Sequence, residues 1–161
     1  MSLSRAMAAL LGMLLCTALP ARAEAPVNFS GTWELDRGRS TFPAGSPSAV
    51  GAEMTLVIHH QGEAVRIERR AKVLAMHRTI METYYTDGRE TSNPTMRGDS
   101  ITSRSQWDGT ALVTKRSGQS RQMETTDVMR LSDDGAVLTI DSTIRRGQEA
   151  PLSSRLVFVK K

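Results

Sequence analysis

The sequence predicts an all-β fold, a single antiparallel up-and-down β-barrel of about eight to ten strands. Three observations carry that expectation. Apolar and polar residues alternate with a period of two, as in Met54-Thr-Leu-Val-Ile58, Ala64-Val-Arg-Ile-Glu-Arg69 and Ala136-Val-Leu-Thr-Ile-Asp-Ser-Thr-Ile144. Short segments ending in glycine separate the runs: His60-Gln-Gly62, Thr86-Asp-Gly88, Trp107-Asp-Gly109 and Ser132-Asp-Asp-Gly135. They supply the residue that a tight hairpin needs where φ turns positive. Beyond residue 23, no stretch of ten residues carries an amphipathic helical pattern.

In chain order, the first element is of a different kind. Residues 1–23 combine one early charge, Arg5, an apolar run from Ala6 to Leu19, and the small-x-small triplet Ala21-Arg22-Ala23 after Pro20. That is the make-up of a cleavable secretory signal, and the run is too short for a spanning helix, which needs about 20 apolar residues. A signal-peptide helix over 1–23 is therefore expected, with cleavage before Glu24 and one domain over 24–161. The location expected is periplasmic or secreted, with membrane contact only during export.

Strands are then expected near 31–36, 54–60, 64–72, 77–85, 88–92, 99–107, 110–116, 122–131, 136–144 and 152–160. Their steady spacing and tight turns suit a meander that closes on itself. One connection breaks the rhythm: residues 37–52 form a long Gly/Pro/Ser loop, of a length usually reserved for lids and Ω-loops. Two strand regions, Ser100-Ile-Thr-Ser-Arg-Ser105 and Met123-Glu-Thr-Thr-Asp-Val-Met129, place Ser and Thr on both faces. A packed core prefers larger apolar residues. Either the interior there is hydrated or holds a ligand, or these strands lie at an edge with one face barely covered.

Composition narrows the classes of function. The single cysteine, Cys16, lies within the export segment behind Leu15, where lipid attachment would require a small residue. The exported chain then has no thiol, so packing alone must stabilise it. Removing Arg5 and Arg22 from the 21 basic residues leaves 19 against 17 acidic ones, scattered along the chain. A nucleic-acid binder concentrates basic charge in a stripe with interleaved aromatics, so no nucleic-acid partner is expected. Six methionines follow residue 23; they suit either an adaptable pocket or gap-filling in a core poor in aromatics.

Catalytic and metal chemistry find little support. His59 and His60 are adjacent in a strand and point to opposite faces, and His77 stands apart, so no metal site is assigned. Gly98-Asp-Ser100 is similar to the opening of an esterase block, but it sits in a turn before a strand, and no Gly-x-Ser-x-Gly elbow exists. Asp127 and Asp141 are candidates to face inward, with no acid–base pairing fixed by spacing. No catalytic residue and no cofactor is assigned. The sequon-like Asn28-Phe-Ser30 is read as hydrogen bonding at a strand start.

The segment Asn28-Phe-Ser-Gly-Thr-Trp-Glu-Leu-Asp36 resembles the Gly-x-Trp opening of lipocalins and related calycin barrels. It also resembles small secreted bacterial proteins that begin with Phe-Ser-Gly-Thr-Trp and end in a Leu-Val-Phe strand. Gly31 admits a close backbone approach, and Trp33 is large enough to plug one end of a barrel. The lipocalin likeness implies an arginine of the last strand stacked on that indole, and Arg155 is the matching position. The lipocalin Thr-Asp-Tyr motif is echoed only by Thr126-Asp127-Val128, and the C-terminal helix is missing. A count near ten strands is closer to the intracellular lipid-binding barrels, without their helical lid.

The resemblance implies a non-enzymatic carrier or sensor of a small, largely apolar molecule, with the long loop as lid. Strand parity counted from Trp33 gives Leu56, Ile58, Met81, Tyr85, Trp107 and Met129 as ligand-binding wall residues. Two alternatives stay open: an envelope interaction module with a filled barrel or sandwich, and a cofactor-free enzyme with its site in the barrel mouth.

Overall fold

A computed structural model describes residues 27–43, 51–73, 75–118 and 123–161. Ten strands form: β1 (Gly31–Leu35), β2 (Glu53–Gln61), β3 (Ala64–Val73), β4 (Met76–Tyr85), β5 (Asp87–Pro94), β6 (Ser100–Asp108), β7 (Ala111–Gly118), β8 (Met123–Leu131), β9 (Val137–Arg146) and β10 (Leu152–Lys160). There is no helix among the described residues. The expected signal-peptide helix lies outside them. Each strand lies where alternation and the turn residues placed it, and Gly62, which closes the β2–β3 hairpin, has φ +57°.

All neighbouring pairs are antiparallel, in the order β4-β3-β2-β1-β10-β9-β8-β7-β6-β5. Pairing of β1 with β10 wraps the first strand onto the last, with Trp33 opposite Lys160. The ladder is then continuous except between β4 and β5, and the barrel is nearly closed. At that seam a side chain replaces the missing backbone ladder. Asn93 Oδ1 accepts from the Thr83 N–H (2.7 Å), and Asn93 Nδ2 donates to the Thr83 carbonyl (2.9 Å). An unpaired strand edge exposes such groups in a row, and here both backbone groups of Thr83 are satisfied by one amide.

The long connection after β1 is less free than its composition suggests. Asp36 N–H donates to Val157 O (2.8 Å), and Thr41 and Arg155 exchange two backbone hydrogen bonds (2.7 and 3.0 Å). Residues 36–41 therefore continue along β10. The middle of the expected lid, residues 44–50, lies outside the described residues.

The apolar core gathers at one end of the barrel. Phe29, Trp33, Leu56, Val65, Leu138 and Phe158 are fully buried, each contributing about 1.5–3 kcal/mol by removal from water. Trp33 Nε1 donates to Phe29 O (3.0 Å), so the plug is satisfied as well as buried. Its cationic neighbour is Lys160, whose Nζ lies 5.3 Å from the ring centroid. The expected partner, Arg155, is on the outer face, making two hydrogen bonds to Asp141 (2.6 and 3.0 Å). The reason is parity: residues 155 and 160 are five apart on one strand, so their side chains leave opposite faces. Gly31, at φ +147°, makes room for the lysine, since a Cβ there would lie 2.9 Å from Lys160 Cε.

Candidate ligand-binding site

Strand register sorts the interior into cross-strand rows. The first row runs Trp107, Leu112, Met129, Ile140, Leu156. Two residues along each strand it becomes Ser105, Thr114, Asp127, Ser142, Ser154, and two further along Ser103, Arg116, Thr125, Ile144, Leu152. Because the side-chain period is two, these steps stay on the inner face. The interior thus changes from apolar to polar within a single step.

The polar rows face charged residues of the opposite wall. Arg69 Nε donates to Glu82 Oε2 (2.9 Å), and the Tyr84 hydroxyl donates to Glu82 Oε1 (2.8 Å). Arg116 pairs with Asp127, and its Nη1 lies 4.0 Å from Glu82 Oε1, linking β7 to β4. Asp127 Oδ1 accepts from Ser142 Oγ (2.6 Å), and Ser105 shares a hydrogen bond with Thr114 (2.7 Å). Burial is the largest single influence on Arg69 and opposes its charge, but Glu82, Tyr84 and Asp127 together outweigh it and hold the guanidinium above its ordinary pKa. Burial first, and then the negative charge of Glu82, push the Tyr84 hydroxyl well above its ordinary value. Tyr84 therefore remains a donor.

Two polar atoms in this region have no partner among the described residues: Ser103 Oγ and Arg116 Nε, both buried. They belong to residues directly opposite each other on β6 and β7. Native interiors leave few such groups unsatisfied, and each orphan costs about 1–3 kcal/mol. Ser103, Arg116 and Thr125 also contribute to the lining of a groove of about 850 Å³ over β5–β9, whose remaining walls are mostly solvent-facing side chains such as Arg104, Lys115 and Arg145.

At the apolar end, Phe29, His60 and Trp107 form a cluster of three rings in mutual contact, with centroids 5.8 Å (Phe29–His60), 5.7 Å (Phe29–Trp107) and 6.1 Å (His60–Trp107) apart. His60 Nδ1 accepts from Phe29 N–H (3.3 Å). Burial lowers the imidazole pKa, partly offset by a hydrogen bond with the Gly62 backbone. His59 is exposed on the other face. Asn28 and Ser30 hydrogen-bond the His60 backbone at the start of the chain's first strand.

The six expected wall residues divide. Leu56, Ile58 and Met129 point inward and are buried in the core. Trp107 has the inward parity but caps the barrel end, 37 % exposed. Met81 and Tyr85 face outward, Met81 being 58 % exposed and Tyr85 lying under the Arg89 guanidinium, 4.2 Å from its ring centroid. The inward residues of β4 are Ile80, Glu82 and Tyr84, one place out of step with the expectation. Apolar residues occur at both parities there, so the slip flips every side chain. Sequence reasoning missed Arg69, Glu82, Tyr84, Ser103 and Arg116. A signal existed for the last two: the Trp107-Asp-Gly109 turn fixes the β6–β7 register and pairs Ser103 with Arg116.

No protein-family model and no curated protein sequence matches the chain. Solved structures do. A zebrafish ileal bile-acid-binding protein complexed with cholic acid is 15% identical with a TM-score of 0.62, covering 83% of this chain and 98% of that one. A Schistosoma mansoni fatty-acid-binding protein in complex with arachidonic acid is 14% identical, with a TM-score of 0.59 and coverage of 83% and 96%. Human cRBP IV is 17% identical, with a TM-score of 0.59 and coverage of 84% and 100%. At these identities the likeness is one of fold: this chain shares with those structures a ten-stranded, nearly closed antiparallel barrel.

Proposed function

We propose that this protein is a non-enzymatic carrier of a small amphipathic molecule, bound with its polar group at the Ser103–Arg116 row. The observation that carries the reading is the pair of buried, unpartnered atoms, Ser103 Oγ and Arg116 Nε. A barrel that served only as a scaffold would gain stability from apolar residues there, since buried ion clusters seldom outperform a packed core. The likeness of fold to fatty-acid- and bile-acid-binding proteins supports the same class of cargo. The apolar part of the ligand would lie against Ile144 and Leu152, the apolar members of that row. Residues 1–23 have the features of an export signal, and we propose that the carrier acts in the periplasm or outside the cell.

Native mass spectrometry of protein purified from its source tests both parts. A retained small molecule and a mature N-terminus at Glu24, within a few residues, are the expected results. Protein without any ligand that also fails to bind a neutral apolar dye would remove the carrier reading, and a retained N-terminus would remove export.

The second reading, an interaction module with a filled barrel, has one observation of its own. Phe29, Trp33, Leu56, Ile58, Leu112, Leu138 and Phe158 pack the apolar end with almost no exposure. A ligand must therefore use the polar half of the interior rather than the whole of it.

A further inference from the structure

We infer that the ligand's polar group is an uncharged hydrogen-bond acceptor, a hydroxyl or carbonyl, and not a carboxylate; the inference rests on the carrier reading above. The interior holds four charged side chains that meet one another: Arg69 with Glu82, and Arg116 with Asp127 and Glu82. Two cations face two anions, so the cluster is balanced without a ligand. Exposure of Arg116 and Asp127 is 23% and 15%, which leaves little solvent to screen an added charge.

A carboxylate placed at the Ser103–Arg116 row would be a third anion beside two cations, close to both Asp127 and Glu82. Like charges in a poorly solvated site are costly. The next arginines of the same alternation, Arg78 and Arg146, are exposed at strand ends, where water screens them. What the row lacks is not charge but hydrogen bonding. Arg116 Nε offers one N–H, and Ser103 Oγ can donate or accept. A ligand hydroxyl can accept from the first and donate to the second, and a carbonyl can accept from both. Either satisfies the two orphans without disturbing the charge balance.

The test is displacement of Nile red, a neutral dye, from the protein by dodecanol, dodecanal and dodecanoate at neutral pH. Dodecanol or dodecanal should displace at concentrations at least about tenfold below dodecanoate, a difference in the range that one uncompensated charge produces. In Asp127→Asn one anion is gone, so dodecanoate should gain on dodecanol by about tenfold or more. If Asp127→Asn fails to fold by circular dichroism, Glu82→Gln is read in the same way. Dodecanoate binding as tightly as dodecanol to the unmodified protein overturns this inference and leaves the carrier reading standing. A folded variant that keeps the original preference overturns it equally. If neither the dye nor any of the three compounds binds, the carrier reading falls, and this inference with it.

Discussion

The amide of Asn93 takes the place of a strand peptide opposite Thr83, donating to its carbonyl and accepting from its N–H across the β4–β5 seam. Asn93 is buried, so water does not replace those bonds when the side chain is shortened. Asn93→Ala should cost about 2–6 kcal/mol, the sum of two backbone groups left unsatisfied. It should also raise the amide exchange rate of Thr83 far more than that of Arg66, its partner on β3. Unchanged protection at Thr83 would mean that the seam is held by other contacts.

The plug should couple to Lys160 and not to Arg155. Trp33→Ala should cost about 3–5 kcal/mol as a cavity left by a buried aromatic. Lys160→Met, which keeps the stem and removes the charge, should cost about 0.5–1 kcal/mol, the worth of an exposed cation–π contact. A double-mutant cycle between residues 33 and 160 should be non-additive, whereas one between 33 and 155 should be additive. Coupling in the second cycle would contradict the register.

Gly31→Ala strains the backbone at φ +147° and drives its Cβ into Lys160 Cε. A destabilisation of about 1–2 kcal/mol is expected, falling by roughly half in the Lys160→Ala background, where the collision is relieved. Urea titration of the four proteins measures both quantities.

Acid should weaken the apolar end through His60. Its folded pKa lies below the ordinary 6.5, chiefly because of burial, and its Nδ1 must be free of a proton to accept from Phe29. The unfolded chain takes up that proton more readily, so the contribution is complete above about pH 6.5 and is lost as pH falls through the lower folded value. Stability measured between pH 7.5 and 5 should fall less steeply in His60→Asn, whose side-chain oxygen keeps the acceptor and does not titrate. Identical slopes would assign the acid sensitivity elsewhere.

Ser103→Ala separates folding from binding. Removing an unsatisfied hydroxyl should leave stability unchanged or raise it by up to about 1 kcal/mol, while weakening capture of a hydroxyl or carbonyl ligand. A stabilised site that loses function is a common trade. A clear loss of stability, with ligand capture intact, would make Ser103 a structural residue.

What the sequence determined by itself was local. Alternation and hairpin glycines located all ten strands, and the bulk and position of Trp33 marked it as a buried plug, because these features depend on nearest neighbours and on side-chain size. Leu56, Ile58 and Met129 faced inward as expected, since their strands carry apolar residues on one parity near the core. What only the tertiary structure decided was parity in ambiguous strands and contact across the barrel. Met81 and Tyr85 gave way to Glu82 and Tyr84 because β4 is apolar at both parities, and Arg155 gave way to Lys160 because five residues reverse a strand's face. The Arg69–Glu82–Arg116–Asp127 cluster joins two strand pairs, β3–β4 and β7–β8, that are distant from each other in sequence. No local pattern encodes which charges meet there, because closure of the barrel alone brings β4 within reach of β7.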